Sequence, residues 1–417
     1  MRIAAICEYF HPDNSGGTPT DLSDLTARLK ELRPGYEIDV ITSRNLYRTA
    51  HEGPLPLREV WRGLAISRLR TPRSNQRSMA RRLAFGFVFS LAALVTLVCR
   101  RRYDWVFIVT NPPSLGFTAW AYRLLCGVPY IYLIHDLYPD IAVALKKIDS
   151  RSTGFRVFRR IQGGWLHAAR HVVVLGRCMQ QHLEKHYALP VRRSVSIPSW
   201  ASSDGFADAR AQGGYDPAPG HRGTVLLYAG NFSIYAKIDL FLDAAALLRE
   251  RTDILWVFIG DGTERERIQE RIAREKLGNV RLLPRIPRDQ MGAALRNADI
   301  ALLSLEERMV GLGVPSKLYT IMATGRAVLA SVPRGSEVAH VLAEDACGRN
   351  IPDARPGQIA DAARAMIDDP GRLQEYGRNA RLAAERHYTI DQAALRFAGL
   401  FEGLPARDGK PEAAGVH

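Results

Sequence analysis

The sequence predicts an α/β protein made of two doubly wound, Rossmann-like domains. Three observations carry this expectation. The chain has 417 residues, too long for one ordinary core and suited to two of roughly 200 residues each. Short apolar runs alternate with amphipathic stretches, the pattern of parallel sheets covered on both faces. One stretch, WASSDGFADARAQGGYDPAPGHR at 200–222, breaks the alternation with Gly, Ala, Pro and Asp, as an interdomain linker does. The expected domains are 1–199 and 223–403, joined by 200–222, with 404–417 a loose tail. Ligands of such sheets bind at the carboxyl ends of the strands, so a cleft between the domains is the expected site.

The apolar runs define the strands in order. The first set is Ile3–Cys7, Glu37–Thr42, Trp105–Val109, Tyr130–Ile134, His171–Val174 and Ser194–Ile197. The second is Thr224–Tyr228, Leu255–Ile259, Val280–Leu283, Ile300–Leu303 and Ala327–Ala330. Helical periodicity falls between them, for example over Asp21–Glu31 and Thr263–Lys276. The opening run is too brief for a secretory h-region and reads as a buried strand. The five cysteines are widely spaced, odd in number and without a CxxC pair. That pattern fits a reducing compartment and argues against a structural zinc site.

One segment departs from the alternation. Leu83–Cys99 is seventeen residues without a charge, preceded by Arg73, Arg77, Arg81 and Arg82 and followed by Arg100, Arg101 and Arg102. Its length is the lower limit for crossing a bilayer, and arginines on both sides favour neither orientation. The preferred expectation is a helix of the N-terminal domain touching an anionic membrane surface; a buried core helix and a spanning helix are the alternatives. The net charge of +14 favours anionic partners. No basic–aromatic platform stands out, so nucleic acid is not expected.

The chemistry concentrates at strand ends. Residues 311–331, GLGVPSKLYTIMATGRAVLAS, place a Gly-rich turn before a helix expected over Ser316–Thr324, with Gly325 ending it. Free N–H groups, the helix dipole and Lys317 together make a site suited to a diphosphate; an ordinary capped helix with a surface lysine is the alternative. The first strand leads into His11-Pro12-Asp13-Asn14-Ser15-Gly16-Gly17-Thr18, where Gly16 and Gly17 allow a ligand close to the backbone. This turn is not the GxGxxG fingerprint, so a nicotinamide cofactor is poorly supported. The strand at 130–134 ends in His135-Asp136, where His135 can bond a hydroxyl or exchange a proton and Asp136 can serve the site or cap a turn. Further strand ends carry Tyr228-Ala229-Gly230-Asn231, then Lys237, and Ile259-Gly260-Asp261-Gly262. There is no DxD, GxSxG or P-loop motif, so a metal held by carboxylates is not indicated and no cofactor is expected.

The ordered series of these pieces resembles the retaining glycosyltransferases of family four, which have the GT-B fold. The series is Gly16-Gly17, TNPPSLG at 110–116, HDLYPD at 135–140, VVVLGRCMQQHL at 172–183, IPSWAS at 197–202, LYAGN at 227–231, FIGDG at 258–262, ADIALLSL at 298–305 and PSKLYTIMATGRAV at 315–328. The TNPP and HDLYPD pieces look most like the branch that builds bacterial surface polysaccharides, O-antigen and capsule on a lipid carrier. The resemblance implies a nucleotide-diphosphate sugar donor, UDP first and GDP next, bound mainly by the C-terminal domain. It implies a polyprenyl-diphosphate-linked or other saccharide acceptor on the N-terminal domain, and a peripheral place on the cytoplasmic face of the inner membrane.

Transfer in that family retains configuration without a metal, so fixed positive charge must stabilise the leaving diphosphate. Carried residue by residue, the resemblance puts Ser316, Lys317 and the backbone of Leu318 at the phosphates, within the turn Gly313-Val314-Pro315, and Gly17 opposite them. Arg285 and Ile286 stand where the backbone grips the base, and His135 where the donor sugar is contacted. Three positions depart. Thr320 replaces a glutamate that holds the ribose hydroxyls, Leu312 replaces the earlier acid, and Asn231 stands where an Arg precedes a Lys, with Lys237 nearby. Having Thr320 in place of that carboxylate costs on the order of 1–3 kcal/mol of donor binding. Two other readings stay open at this point: a catalytically weak homologue acting as a partner subunit, and a nucleotide-sugar epimerase of the same fold.

Overall fold

The computed structural model describes residues 1–13, 17–46, 54–72, 79–100, 102–201, 203–206 and 214–404. Gly16, Arg73, Arg77, Arg101 and the tail from residue 405 lie outside the described residues. The chain divides into two compact units. The first comprises Met1–Pro198, Gly311–Gly313 and the chain from Ile390 onward; the second comprises Ser199–Val310 and Val314–Thr389.

The first unit is built on eight strands: β1 (Arg2–Ile6), β2 (Glu37–Ser43), β3 (Arg58–Trp61), β4 (Leu64–Leu69), β5 (Trp105–Val109), β6 (Tyr130–Ile134), β7 (His171–Val174) and β8 (Ser194–Ser196). They lie in the order β3-β4-β2-β1-β5-β6-β7-β8, parallel except for the hairpin β3–β4. The hairpin was not expected from sequence. Its two-residue turn is Arg62-Gly63, both at positive φ, and an arginine there gives no turn signal although the geometry suits a tight hairpin. β6 is buried along its whole length, as a strand covered on both faces must be.

Helices connect most of the parallel strands of this sheet. Thr18–Leu32 follows β1, while Met79–Arg100, Leu115–Cys126 and Thr153–Ala168 lead towards β5, β6 and β7. Gly17 caps the first helix at φ +70, and Leu22, Leu25 and Leu29 turn one stripe of it inward. The last helix, Ile390–Phe401, was expected to close the C-terminal domain and instead joins the first unit. The reason is its apolar face. Phe397 meets Phe107, and Phe401 meets Trp105 edge-on, while Asp391 and Glu402 take Arg28, Arg33 and Tyr36.

The second unit holds β9 (Thr224–Asn231), β10 (Ile254–Asp261), β11 (Val280–Leu283), β12 (Ile300–Ser304), β13 (Ala327–Ser331) and β14 (Gly348–Asn350). All are parallel, in the order β11-β10-β9-β12-β13-β14, which reverses between β9 and β12. Alternate residues of β9 enter opposite cores: Val225 and Leu227 one, Leu226 and Tyr228 the other. The expected linker is largely part of this unit. Ala201 N–H donates to Tyr388 O at 2.9 Å, and Asn297 Nδ2 to Tyr215 O at 3.1 Å.

The helix Met79–Arg100 contradicts the buried-core alternative. Only 28% of its most apolar window is buried. Leu83, Phe87, Leu91 and Val95 are exposed at a spacing of four, with Val88 beside them. Its inner face is tied down by Ser90 Oγ, 2.8 Å from Ser114 Oγ, and by Thr118 Oγ1 donating to Ser90 O. The same helix layer is fitted at Gly116, where a Cβ would lie 2.8 Å from Cδ2 of buried Trp165. Gly116→Ala should therefore destabilise the protein by about 1–3 kcal/mol. Chemical denaturation followed by circular dichroism measures this, and an unchanged midpoint would mean that the two helices separate without cost.

Candidate active site

In a doubly wound sheet the loops diverge at the switch point, leaving the carboxyl strand ends open to a ligand. In the second unit that point lies between β9 and β12. The helix Lys317–Ala323 begins beside it. Leu318 and Tyr319 are buried in the core and fix the helix, leaving Lys317 at its start. The Lys317 ammonium lies 4.0 Å from the centre of the Tyr228 ring and 3.5 Å from Ala229 O. A Cβ at Gly230 would sit 3.3 Å from that nitrogen, so glycine keeps the end of β9 clear. Gly260 pairs with Gly230 in register, and a Cβ there would collide with Gly230 O.

The other expected residues are placed as follows. Ser316 has helical dihedrals and no side-chain cap bond. The Leu318 N–H is spent on Pro315 O at 3.2 Å, which corrects the expectation of a free group there. Val314 packs on the core. Asn231 ends β9, with Oδ1 2.6 Å from the place of a Cβ on Gly262. Lys237 has φ +44 at the start of Ile238–Leu247. Ile286 is buried, offering only its backbone, and Arg285 is exposed. The Thr320 methyl turns towards Gly205. Glu306 pairs with Arg308 at 3.6 Å, whose guanidinium covers Tyr235. Tyr228 was read only as part of a strand end, and Arg265, which joins β10 and β11 through Gly260 O and Leu283 O, was not singled out.

The first unit has its own switch point, between β1 and β5. Here a pocket of about 220 Å³ is lined by Glu8, Gly17, Arg82, Thr110, Pro112 and Asp136, among others. Thr110 Oγ1 lies 3.3 Å from His135 N and 3.4 Å from Asp136 N, so it shapes the backbone after β6. His135 is buried; its Nε2 is 3.6 Å from Asp21 Oδ2, while its Nδ1 has no partner. Asp21 was read only as part of a helix, yet the first turn of Thr18–Leu32 places it on this ring. Gly313 belongs here as well: a Cβ on it would lie 3.2 Å from Asp136 Oδ1. Glu8 and Arg82 carry no motif and were not recognised as site residues.

Burial pushes the Glu8 carboxyl up to about 7, with Tyr9 and Arg82 opposing the shift. Enclosure by protein also raises Asp136, against His135 and Arg82, though contact with solvent limits the effect. Deeper in the unit, burial acts to raise Asp140, but hydrogen bonds from His182 and Tyr187 outweigh it and hold the carboxyl below its usual range. His182 and His186 stand one helical turn apart with rings 4.3 Å apart. Among the described residues no group of three or more His, Cys, Asp or Glu is placed to hold a metal ion.

Two mainly parallel sheets, each open at its switch point, with a lysine at one and a His-Asp pair at the other, define a two-unit doubly wound α/β fold. The comparisons agree. Residues 16–200 match the glycosyl transferase 4-like domain, and residues 217–383 match glycosyl transferases group 1. WbjE of Pseudomonas aeruginosa, described as a glycosyltransferase, is 30% identical over 292 residues, covering 69% of this chain and 72% of WbjE. WcaI of Escherichia coli, described as a colanic acid biosynthesis glycosyl transferase, is 24% identical over 344 residues, covering 79% and 82%. The Anabaena HepE structure in complex with UDP superposes with a TM-score of 0.68 at 12% identity, covering 97% of this chain and all of that one. The chain thus belongs to the group 1, family-four type of glycosyltransferases with the GT-B fold.

The Glu8 carboxyl makes a stability prediction. Unfolded, it titrates near 4.5; folded, near 7. Between those values the native state holds more protons, so this group's contribution falls as pH rises. Glu8→Gln should flatten that slope, gaining up to about 3 kcal/mol on wild type between pH 5 and 8. Denaturant titrations across that range measure it, and parallel curves for the two proteins would remove the shifted carboxyl.

Proposed function

We propose that this glycosyltransferase moves a sugar, with retention and without metal, from a UDP-sugar to a lipid-linked saccharide in surface polysaccharide assembly. The observation that carries the donor half is Lys317, held over Tyr228 at the switch point of the second unit. The diphosphate gains charge as the glycosidic bond breaks, and a preorganised ammonium stabilises that charge more than it does the bound donor. The aromatic face orients the lysine without neutralising it as a carboxylate would. UDP is favoured over GDP because HepE was solved with UDP. His135 offers its unpartnered Nδ1 to a sugar hydroxyl, while Asp21 faces the other nitrogen.

The acceptor half rests on the exposed stripe of Met79–Arg100, bounded by Arg81 and Arg82 at one end and Arg100 at the other. An apolar stripe between arginines suits the surface of an anionic bilayer, with the protein peripheral to the cytoplasmic face of the inner membrane. The relation to WcaI supports polysaccharide assembly as the setting. Thr320 favours a second reading, a weakly active homologue serving as a partner subunit, because its hydroxyl cannot replace a bidentate carboxylate.

Thermal-shift measurements with UDP, GDP and dTDP, with magnesium or with chelator, test the donor assignment. UDP should stabilise the protein most, equally with and without metal. Lys317→Ala should weaken UDP binding about 10- to 100-fold, or 1.4–3 kcal/mol. Stabilisation by none of the nucleotides would favour the partner-subunit reading. For the membrane, replacing Phe87, Leu91 and Val95 by serine should release the protein from sedimenting phosphatidylglycerol vesicles. Undiminished sedimentation would assign the stripe to another role.

A further inference from the structure

The helix that carries Lys317 at its start is fastened at its other end by a residue far along the chain. Lys317–Ala323 leaves its last four carbonyls without partners inside the helix, as every helix does. The Thr324 N–H reaches Thr320 O at 3.2 Å and Ile321 O at 3.1 Å, and the Gly325 N–H takes Met322 O at 2.9 Å. The fourth carbonyl, Ala323 O, accepts from Arg381 Nη1 at 2.6 Å. Arg381 stands on the helix Pro370–His387. A Cβ on Gly377 of that helix would lie 2.4 Å from Gly325 O, so the helix rests directly on the turn after Ala323.

The same guanidinium holds a second segment, and all of these residues belong to the second unit. Its Nη2 donates to Phe206 O at 3.0 Å, its Nη1 also reaches Gly205 O at 3.4 Å, and its carbon lies 5.3 Å from the centre of the Phe206 ring. Glu385, one turn further on the same helix, takes Nε and sets the direction of the fork. The turn Ser203–Phe206 is thereby laid along the Lys317 helix. Buried Gly205 makes the contact, for a Cβ there would lie 3.1 Å from Ala323 Cβ and 3.3 Å from Thr320 O. A planar fork with donors in fixed directions can join two backbones in this way, whereas a lysine ammonium has no such fork.

Lys317 depends on this fastening because little else orients it. Its ammonium meets a ring face and one carbonyl, and among the described residues no carboxylate pairs with it. Its place therefore follows the backbone of its helix. Burial of Leu318 and Tyr319 holds that helix against the core, but apolar contacts are non-directional and hydrogen bonds set position along the axis more sharply. At 1.5 Å per residue the helix is about 10 Å long, short enough to move as one body, so a displacement at Ala323 reaches Lys317.

We propose that Arg381 is a positioning residue for donor binding: by joining Ala323 O to the turn Ser203–Phe206, it sets where Lys317 meets the diphosphate. The assignment rests on the donor reading above and adds to it a residue that acts through Lys317 rather than on the ligand.

The test is a double-mutant cycle on the full chain, read by calorimetry with UDP, with denaturant titrations to follow stability. Arg381→Met should weaken UDP binding about five- to tenfold. Arg381→Lys should weaken it nearly as much, because the ammonium keeps the charge but cannot span both segments. In a Lys317→Ala background the same substitutions should change UDP affinity less than about twofold. An arginine that only stabilised the fold would weaken binding equally in both backgrounds. Gly205→Ala crowds the turn without touching the arginine; it should show the same coupling to Lys317, and it carries the test if an Arg381 variant does not fold. Equal losses in both backgrounds, or undiminished affinity in Arg381→Lys, would overturn the assignment alone. Absence of UDP binding in the wild type would overturn the donor reading together with it.

Discussion

A parallel strand buried on both faces can place functional groups only at its ends, and this constraint organises both sheets. Along β6 or β13 every side chain is needed for packing, so chemistry begins where burial stops. Backbone carbonyls near the ends of β9 and β10 meet charged side chains there. Ala229 O meets Lys317, and Gly260 O meets Arg265. Strand order then decides which ends are open. In each unit the order reverses once, at β1/β5 and at β9/β12, and the two sets of site residues gather at those reversals.

The charges at the two points are set differently. Lys317 rests against an aromatic face and a backbone carbonyl. The first unit instead gathers carboxyls and raises them by enclosure, Glu8 and Asp136 alike, with Arg82 opposing both shifts. A cationic end suits a departing diphosphate, and a carboxyl-lined pocket suits hydroxyls. This division follows from local chemistry within each unit.

The apolar helix shows how one segment serves two solvents. Its inner face packs through Phe89, Ala93 and Leu97, while its outer face leaves Leu83, Phe87, Leu91 and Val95 uncovered. Had the helix only completed a core, the outer stripe would carry the polar residues normal on a water-facing surface. The same accounting explains Ile390–Phe401, which presents phenylalanines to β5 and carboxylates to the arginines of Thr18–Leu32.

By itself, the sequence determined the elements whose signal is local. The apolar runs at Trp105–Val109 and Tyr130–Ile134 are strands with those bounds, because five apolar residues in a row suit a strand covered on both faces. His135 directly follows such a run, and Lys317 opens the helix Lys317–Ala323 that the Gly-rich turn announces. The hairpin β3–β4 was hidden by an arginine in a left-handed turn, and β14 by its length of three residues. Only the tertiary structure decided that Ile390–Phe401 belongs to the first unit, that 214–222 packs as part of the second, and that the Leu318 N–H is already bonded. It alone placed Asp21 against His135, Tyr228 beneath Lys317, and Glu8 near Arg82. Those pairings join residues far apart in the chain, and strand order rather than local pattern sets which strand ends become neighbours.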